Sequence, residues 1–577
     1  MRLAVIKKEK CRPALCAHEC KKFCPVEKKE KDSCVNIKQS AGIDETTCIG
    51  CSICAKRCPF DAIKIINLPT IDESQITHRY GKNSFALYGL PAPREKTILG
   101  FLGQNGIGKS TAVRILAGKE SPNFGKENPT KEDFKNFFKG SEIIRYFESL
   151  KNKKIAYKPQ NISELRTELI ARDLLEKCGK KEEIEFLAKK LGVEKVLDNK
   201  LKNLSGGELQ KIAIIAASVK NSDIYFFDEP LAFLDIGERI RISDFIKEKS
   251  NERTTIVVEH DLLILDYLTD YISIFYGSPG AYGMASVAKP SKNAVNSYLE
   301  GFLKEENVRI REKSLSFNFT KNAQLSGTKI TEWPAFKLEF ESGFKLQAEK
   351  GEIYENNCIG ILGQNGVGKT SFVRALAGEL EVSIKDNRKK LDLKLKISYK
   401  PQHIIKKNDE KVKDIIIREK IPRKTILAFR LGALESKKIS ELSGGELQRL
   451  EIARCISKEA DLYLIDEPSA FLDVEERISA AKAIKDKMIE KGKTAFIVDH
   501  DLLLISYVAD SIINFIGTPQ KEALAKEPCE FSKGISTLLK SLNITLRKDK
   551  ESGRPRINKK GSVLDREQKA REEWVIL

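Results

Sequence analysis

Gly103-Gln-Asn-Gly-Ile-Gly-Lys109-Ser110 follows the short apolar run Thr97-Ile-Leu-Gly-Phe-Leu102 and precedes Thr111-Ala-Val-Arg-Ile-Leu-Ala117. Strand, glycine-rich loop and helix in that order form a phosphate cradle, because the glycines let backbone N–H groups close around phosphate oxygens at a helix N-terminus. Lys109 is placed to pair with the β- and γ-phosphates of a nucleoside triphosphate, and the Ser110 hydroxyl to reach its magnesium. The loop recurs as Gly363-Gln-Asn-Gly-Val-Gly-Lys369-Thr370, with Lys369 and Thr370 in the same roles. Tyr157-Lys-Pro-Gln160 recurs as Tyr399-Lys-Pro-Gln402, Leu204-Ser-Gly-Gly-Glu-Leu-Gln210 as Leu442-Ser-Gly-Gly-Glu-Leu-Gln448, and Phe227-Asp-Glu-Pro230 as Ile465-Asp-Glu-Pro468. The order is kept, so the chain contains one unit twice. The offset falls from 260 residues at the loops (103 to 363) to 238 at the later motifs (204 to 442), which puts an insertion in the first copy, mostly before Tyr157.

Ile224-Tyr-Phe-Phe-Asp228-Glu229 and Leu462-Tyr-Leu-Ile-Asp466-Glu467 read as buried strands ending in paired carboxylates. The C-terminal end of a parallel strand is where open α/β sheets do chemistry. There Asp228 and Asp466 can hold the magnesium shell, and Glu229 and Glu467 can polarise an attacking water. His260 and His500, each after a further β-like run, are placed to contact a γ-phosphate. Tyr80 and Phe85 are candidates to stack on a base at the first copy, Trp333 and Phe336 at the second.

Nine of the 13 cysteines lie within the first 58 residues. Cys48-Ile-Gly-Cys51-Ser-Ile-Cys54-Ala-Lys-Arg-Cys58-Pro59 reproduces C-x2-C-x2-C-x3-C-P, the bacterial ferredoxin run whose fourth thiolate serves the neighbouring cubane. Cys11, Cys16, Cys20 and Cys24-Pro25 form a wider second set. Two [4Fe-4S] clusters follow, one held by Cys11, Cys16, Cys20 and Cys58, the other by Cys24, Cys48, Cys51 and Cys54. Structural zinc favours C-x2-C pairs separated by a loop, and disulfides are a poor explanation in a chain that reads as intracellular. Cys34 is left over and reads as a small buried residue.

The 577 residues exceed one core, and at roughly 150 residues per domain they suggest three or four folding units. The fold class expected is α/β for the two nucleotide-binding units, with an α+β N-terminal domain. Residues 1–70 hold the cysteines; residues 71–290 form the first copy, with a helix-loop-helix insertion at about 130–150; residues 291–324 are a hinge; residues 325–540 form the second copy. Residues 541–577 are a basic tail, expected to be extended. Apolar runs such as residues 212–219 fall short of the roughly 18 needed to span a bilayer. The excess of 101 Lys and Arg over 82 Asp and Glu favours a polyanionic partner.

Leu-Ser-Gly-Gly-Glu resembles the signature of ATP-binding-cassette proteins. The resemblance implies two P-loop NTPase cassettes in a head-to-tail sandwich within a monomer, each binding Mg-ATP between one P-loop and the other cassette's signature. One site would use Gly103, Asn105, Gly106, Gly108, Lys109, Ser110 and Thr111 with Ser443, Gly444, Gly445 and Glu446. The other would use Gly363, Asn365, Gly366, Gly368, Lys369, Thr370 and Ser371 with Ser205, Gly206, Gly207 and Glu208. Gln160 and Gln402 would join Ser110, Asp228, Thr370 and Asp466 around the two magnesium ions.

Across nearly its whole length the chain is similar to the class E cassette proteins, the RNase L inhibitor family. The similarity rests on the cysteine domain, Asn67-Leu-Pro69, Thr77-His-Arg-Tyr80, Phe138-Lys-Gly-Ser-Glu142, Tyr276-Gly-Ser-Pro-Gly-Ala-Tyr-Gly283 and Arg554-Pro-Arg-Ile-Asn558, with Asn307-Val-Arg-Ile-Arg311 at the family's hinge. It implies a cytoplasmic ATPase that splits ribosomes into subunits after termination beside a release-factor-like protein. Retention on the small subunit, with initiation factors as further partners, is also implied. The insertion would present Lys139, Ser141 and Arg145 to ribosomal RNA. Ala232 and Trp333 depart from the family's usual Ser and Tyr. The alternative is a soluble twin-cassette ATPase that remodels another RNA–protein complex. A transporter ATPase leaves the clusters without a role, a redox enzyme lacks a flavin or nicotinamide fingerprint, and DNA-repair cassettes carry long heptads not seen here.

Overall fold

The computed structural model describes every residue except 1, 7–9, 30–33, 45–46, 50, 68–74, 312–313, 316–326, 385–386, 405–408 and 577. The expected borders at 70/71 and 324/325, and residues 68–69 of the Asn67-Leu-Pro69 match, lie outside the described residues.

The first copy folds around five parallel strands in the order Tyr271–Ser278, Ile98–Gly103, Thr254–Val258, Ile224–Asp228, Ile155–Lys158. Three of the five are buried along their whole length and Tyr271–Ser278 over most of its own, because helices cover both faces. Beside Tyr271–Ser278 the sheet continues through Tyr282–Ala285, Ala86–Tyr88 and Ile76–Arg79. The second copy repeats this order with Ser511–Thr518, Cys358–Leu362, Thr494–Val498, Leu462–Asp466 and Ile397–Lys400.

The copies differ at one edge. Where the first carries the insertion, the second adds the hairpin Glu381–Ile384 and Asn387–Lys390, which lengthens its sheet to 11 strands against nine. The insertion is the helix pair Lys131–Phe137 and Glu142–Leu150, the first started by a reciprocal Thr130/Asp133 cap. Phe134, Phe138 and Phe147 pack ring to ring, with centroids 5.0 to 5.7 Å apart, and Ile143 and Tyr146 are buried.

In the N-terminal domain, Arg2–Ile6 pairs antiparallel with Ile63–Asn67, and short helices at Glu19–Lys22, Pro25–Lys29 and Ile53–Arg57 lie among the cysteines, carrying Cys20 and Cys54. Its core is thin and sulfurous: Cys20, Cys24, Cys34 and Cys54 are buried among Ile6, Val35, Ala41, Ile43 and Ile63. It docks on the first cassette through Asn83. The Asn83 carbonyl accepts from Ile6 N at 2.8 Å and its side-chain oxygen from Ile43 N at 2.8 Å.

The hinge is ordered where described, with Phe302–Leu303 paired to Val308–Arg309 around a turn at Asn307. The tail corrects the expectation of an extended segment. Leu546–Lys548, Pro555–Ile557 and Val575–Ile576 form a three-stranded sheet beside the helix Val563–Ala570. The basic residues did not force extension because they find acids on the first cassette. The fully buried Arg554 donates to Asp266 at 2.9 Å, and Arg556 binds the same carboxylate at 2.7 and 3.1 Å.

Removing one partner of a buried pair strands the other charge, at a cost of about 3–5 kcal/mol. Asp266→Ala is therefore expected to lower the midpoint of the first transition in denaturant unfolding, and Asp266→Glu to retain most of it.

Candidate active site

Each P-loop turns into its helix at a glycine with left-handed φ, Gly108 at 99° and Gly368 at 85°. A side chain there would strike the ring of Phe85 or Phe344, so the glycines are needed for close approach as well as for conformation. Lys109 Nζ donates to the carbonyls of Gly103 and Gln104 at 2.7 Å, and Lys369 Nζ to those of Gly363 and Gln364 at 2.9 and 2.6 Å. Burial pulls both ammonium groups down to about 8, against the pull of nearby carboxylates. A triphosphate would supply the anionic partner that these buried cations lack.

Asp228 and Asp466 end their strands, and Glu229 and Glu467 follow with φ of 47°, a conformation costly for a residue with a side chain. Two buried lysines that sequence reading passed over hold these turns. Lys158 Nζ donates to the carbonyls of Asp228 and Glu229 at 2.8 and 3.0 Å, and Lys400 Nζ to those of Asp466 and Glu467 at 2.7 and 3.3 Å. Their signal was the repeated Tyr-Lys-Pro-Gln. Gln160 Nε2 donates to Glu229 Oε1 at 2.6 Å, and Gln402 Nε2 to Glu467 Oε1 at 2.7 Å.

The two carboxylates differ. His260 Nε2 lies 3.3 Å from Glu229, whereas His500 Nε2 lies 3.8 Å from Glu467. Burial pushes Glu229 up, but His260, Lys109 and Lys158 outweigh it and hold the carboxyl down at about 2. At Glu467, burial and the neighbouring Asp466 charge win and the pKa is raised.

The donor set fits magnesium: Asp228 Oδ1 is buried without a hydrogen-bond partner, and burial with the Glu229 charge raises its pKa to about 6. The buried Asp466 carboxylate sits beside the Thr370 hydroxyl. Ser110 is the second residue of the first P-loop helix, as Thr370 is of the second.

The cassettes face each other head to tail. Asn105 N donates to Asp473 of the second cassette at 3.1 Å, and Asn365 N to Asp235 of the first at 2.8 Å. A cavity of about 2020 Å³ between them is lined by both signatures, Gln104 and Asn105, and the second P-loop from Gly366 to Ser371. Ser205 and Ser443 cap the signature helices Gly206–Ser218 and Gly444–Ser457 in reciprocal boxes with Glu208 and Glu446. Gly206, Gly207, Gly444 and Gly445 thus open onto the cavity with their N–H groups at a helix N-terminus.

Of the proposed base platforms, Phe85 packs on Gly108, and the Tyr80 hydroxyl lies 3.2 Å from Thr111 Oγ1 on the P-loop helix. Trp333 and Phe336 are corrected. Both are buried in the second cassette's core, where the Trp333 indole donates to the Glu349 carbonyl at 3.0 Å and its ring covers Gly351. Phe344 takes the place of Phe85 against Gly368 and lines the cavity with Phe340.

In the N-terminal domain, the charges felt most by Cys54 come from Cys48, Cys51 and Cys24, and those felt by Cys20 from Cys58, Cys11 and Cys16. Cys24, Cys48, Cys51 and Cys54 line one small cavity. Burial and the neighbouring thiolates push the Cys54 thiol up to about 12 and the Cys20 thiol up to about 11, so both are protonated near neutral pH. Cys34 is buried as expected but lines the small cavity formed by Cys24, Cys48, Cys51 and Cys54. Lys139, Ser141 and Arg145 lie exposed on the outer side of the insertion.

Comparison with known proteins gives this arrangement a family. The ABC transporter model matches residues 93–232 and 346–470, a 4Fe-4S binding domain residues 41–64, and a possible Fer4-like domain in RNase L inhibitor residues 1–31. Translation initiation factor RLI1 of Saccharomyces cerevisiae is 38% identical over 605 residues, covering 100% of this chain and 98% of its own. The chain belongs to the RNase L inhibitor family of ATP-binding-cassette proteins. Like its relatives it combines a ferredoxin-like iron–sulfur domain with two ATP-hydrolysing cassettes. A structure of ribosome-bound archaeal Pelota and ABCE1 matches with a TM-score of 0.91 and 40% identity, over 100% of this chain and 99% of that one. An archaeal ribosome recycling factor in complex with the archaeal ribosomal stalk protein aP1 matches with a TM-score of 0.83 and 39% identity, over 88% and 100%. No helix among the described residues is long and apolar enough to cross a membrane.

The corrected platform gives a clean contrast. Phe344→Ala is expected to weaken ATP analogue binding at the second site several-fold, read by equilibrium titration with Glu467→Gln present to prevent turnover. Trp333→Phe should lower thermal stability and leave that affinity unchanged.

Proposed function

We propose that this protein uses ATP to split ribosomes into subunits, acting in the cytoplasm beside a release-factor-like protein and then staying on the small subunit, where initiation factors would meet it. The observation that carries this reading is the whole-chain likeness to a ribosome-bound structure, which extends through the cysteine domain and the insertion, parts that ATP hydrolysis alone does not need. The exposed Lys139, Ser141 and Arg145 give the insertion a face suited to phosphate contacts.

Two ATP molecules would sit between opposed P-loops and signatures. Magnesium, held by Ser110, Asp228 and Gln160 at one site and Thr370, Asp466 and Gln402 at the other, would neutralise phosphate charge. Glu229 and Glu467 would take the proton of the attacking water, with His260 and His500 oriented toward the terminal phosphate. Lys109 and Lys369 would leave their loop carbonyls for phosphate oxygens, and the signature serines and glycines would close each site from the far side. Closure at both sites would draw the cassettes together and shift the domain carried on Asn83.

The two cysteine sets would each hold a [4Fe-4S] cluster, which supplies covalent cross-links to a domain with little apolar core of its own. Cys24→Ser is expected to remove about half the iron and acid-labile sulfide while the remaining cluster keeps its spectrum; loss of both together would contradict separate cages.

The functional test is a sucrose-gradient profile of terminated ribosomes with release factor, ATP and this protein. Conversion to free subunits that requires ATP and intact clusters is expected. Glu229→Gln and Glu467→Gln should each slow hydrolysis at their own site by on the order of 100-fold, and leave different residual rates. Whole ribosomes with undiminished ATP turnover would favour a different RNA–protein target.

A further inference from the structure

Glu475 follows the Asp473 that holds the first P-loop by two residues, in the first turn of the helix Val474–Lys491. One of its carboxylate oxygens accepts from the side-chain amide of Gln104 in that P-loop; the other accepts from Arg311 Nη2 of the hinge at 3.1 Å. Arg430, from the second cassette, lies 3.5 Å away. The carboxylate is only 12% exposed, so these contacts are little screened by solvent. Arg311 is held in turn: it donates to the Leu299 carbonyl at 3.2 Å, and its guanidinium lies 5.2 Å over the Tyr298 ring. Its backbone packs on Gly301, where a side chain would collide.

The duplication supplies an internal control. Two residues after Asp235, the counterpart of Asp473, stands Gly237, and Leu542 occupies the space beside it. No carboxylate at that position links Gln364 of the second P-loop to the hinge. An acid in a first helical turn favours the helix, yet the helix Ile236–Ser250 forms with glycine there and Glu238 as its first-turn acid. Helix stability therefore does not account for Glu475.

We infer that Glu475 is a positioning residue that ties the first P-loop to the hinge, making ATP affinity at the first site, and not at the second, depend on hinge position. The inference rests on the two-site ATPase reading and adds a direction to its asymmetry.

The test uses the full-length, cluster-loaded protein. ATP dependence of turnover is measured in a Glu467→Gln background, where the first site works, and in a Glu229→Gln background, where the second does. Glu475→Gln is expected to raise the first-site KM for ATP about five- to tenfold, the scale of a typical coupling between sites, with kcat within about twofold. The second-site KM should not move. Arg311→Ala should reproduce the shift, and the double variant should add little to either single one. Equal shifts at both sites, additive effects, or no shift would overturn the inference. A lack of turnover in both parent backgrounds would instead overturn the two-site reading beneath it.

Discussion

Asp235 and Asp473 each perform two tasks with one carboxylate. One oxygen of Asp235 caps its own helix by accepting from Glu238 N at 2.9 Å, while the other accepts from Asn365 N in the opposite P-loop at 2.8 Å. Asp473 repeats this with Glu476 N at 2.9 Å and Asn105 N at 3.1 Å. A capping aspartate has little rotational freedom, since its geometry is fixed by the first helical turn. The opposite P-loop is therefore positioned by a rigid part of the neighbouring cassette. Asn105, Asp235, Asn365 and Asp473 line the cavity together with both signatures, so this pair of crossings lies at its wall. Breaking one would open a nucleotide site without unfolding either cassette, the requirement for a clamp that ligand can close.

Duplication gave the molecule two sites of one design, and small substitutions made them unequal. Glu229 has a closer histidine and a low pKa; Glu467 has a more distant one and a raised pKa. The hinge grips one crossing through Arg311, while the tail places the apolar Leu542 at the other. These differences lie in the surroundings of residues that are themselves identical or nearly so.

Motif spacing was enough to read the cassettes, because phosphate binding demands glycine, lysine and hydroxyl at fixed intervals whatever surrounds them. The iron–sulfur domain was legible for the same reason, since a cubane fixes the spacing of its cysteines. What failed was reading that depended on tertiary placement. Trp333 precedes its P-loop as a base platform would, but its indole faces inward over Gly351, while Phe344, closer in sequence to the loop, lies against Gly368. The tail's charge density suggested extension, yet Asp266 on a distant helix absorbs two of its arginines. Lys158, Lys400 and Glu475 drew no reading from the sequence, because their burial is set by tertiary packing that no local pattern encodes.

The route from nucleotide to iron–sulfur domain is short. Tyr80, Asn83 and Phe85 lie on one turn, closed by Ser84 N donating to the Gly81 carbonyl at 3.1 Å. Tyr80 touches the P-loop helix, Phe85 packs on Gly108, and Asn83 between them holds two backbone N–H groups of the cysteine domain. Asn83 is buried in a left-handed conformation that asparagine tolerates better than most residues with side chains. A base stacked beside this turn would therefore press on the same few residues that carry the N-terminal domain. A thin, sulfur-rich domain cannot absorb such a displacement by repacking apolar side chains. Its cysteine sets, once cross-linked through clusters, would move as a unit, which suits it to transmit force and leaves redox chemistry unnecessary for that purpose.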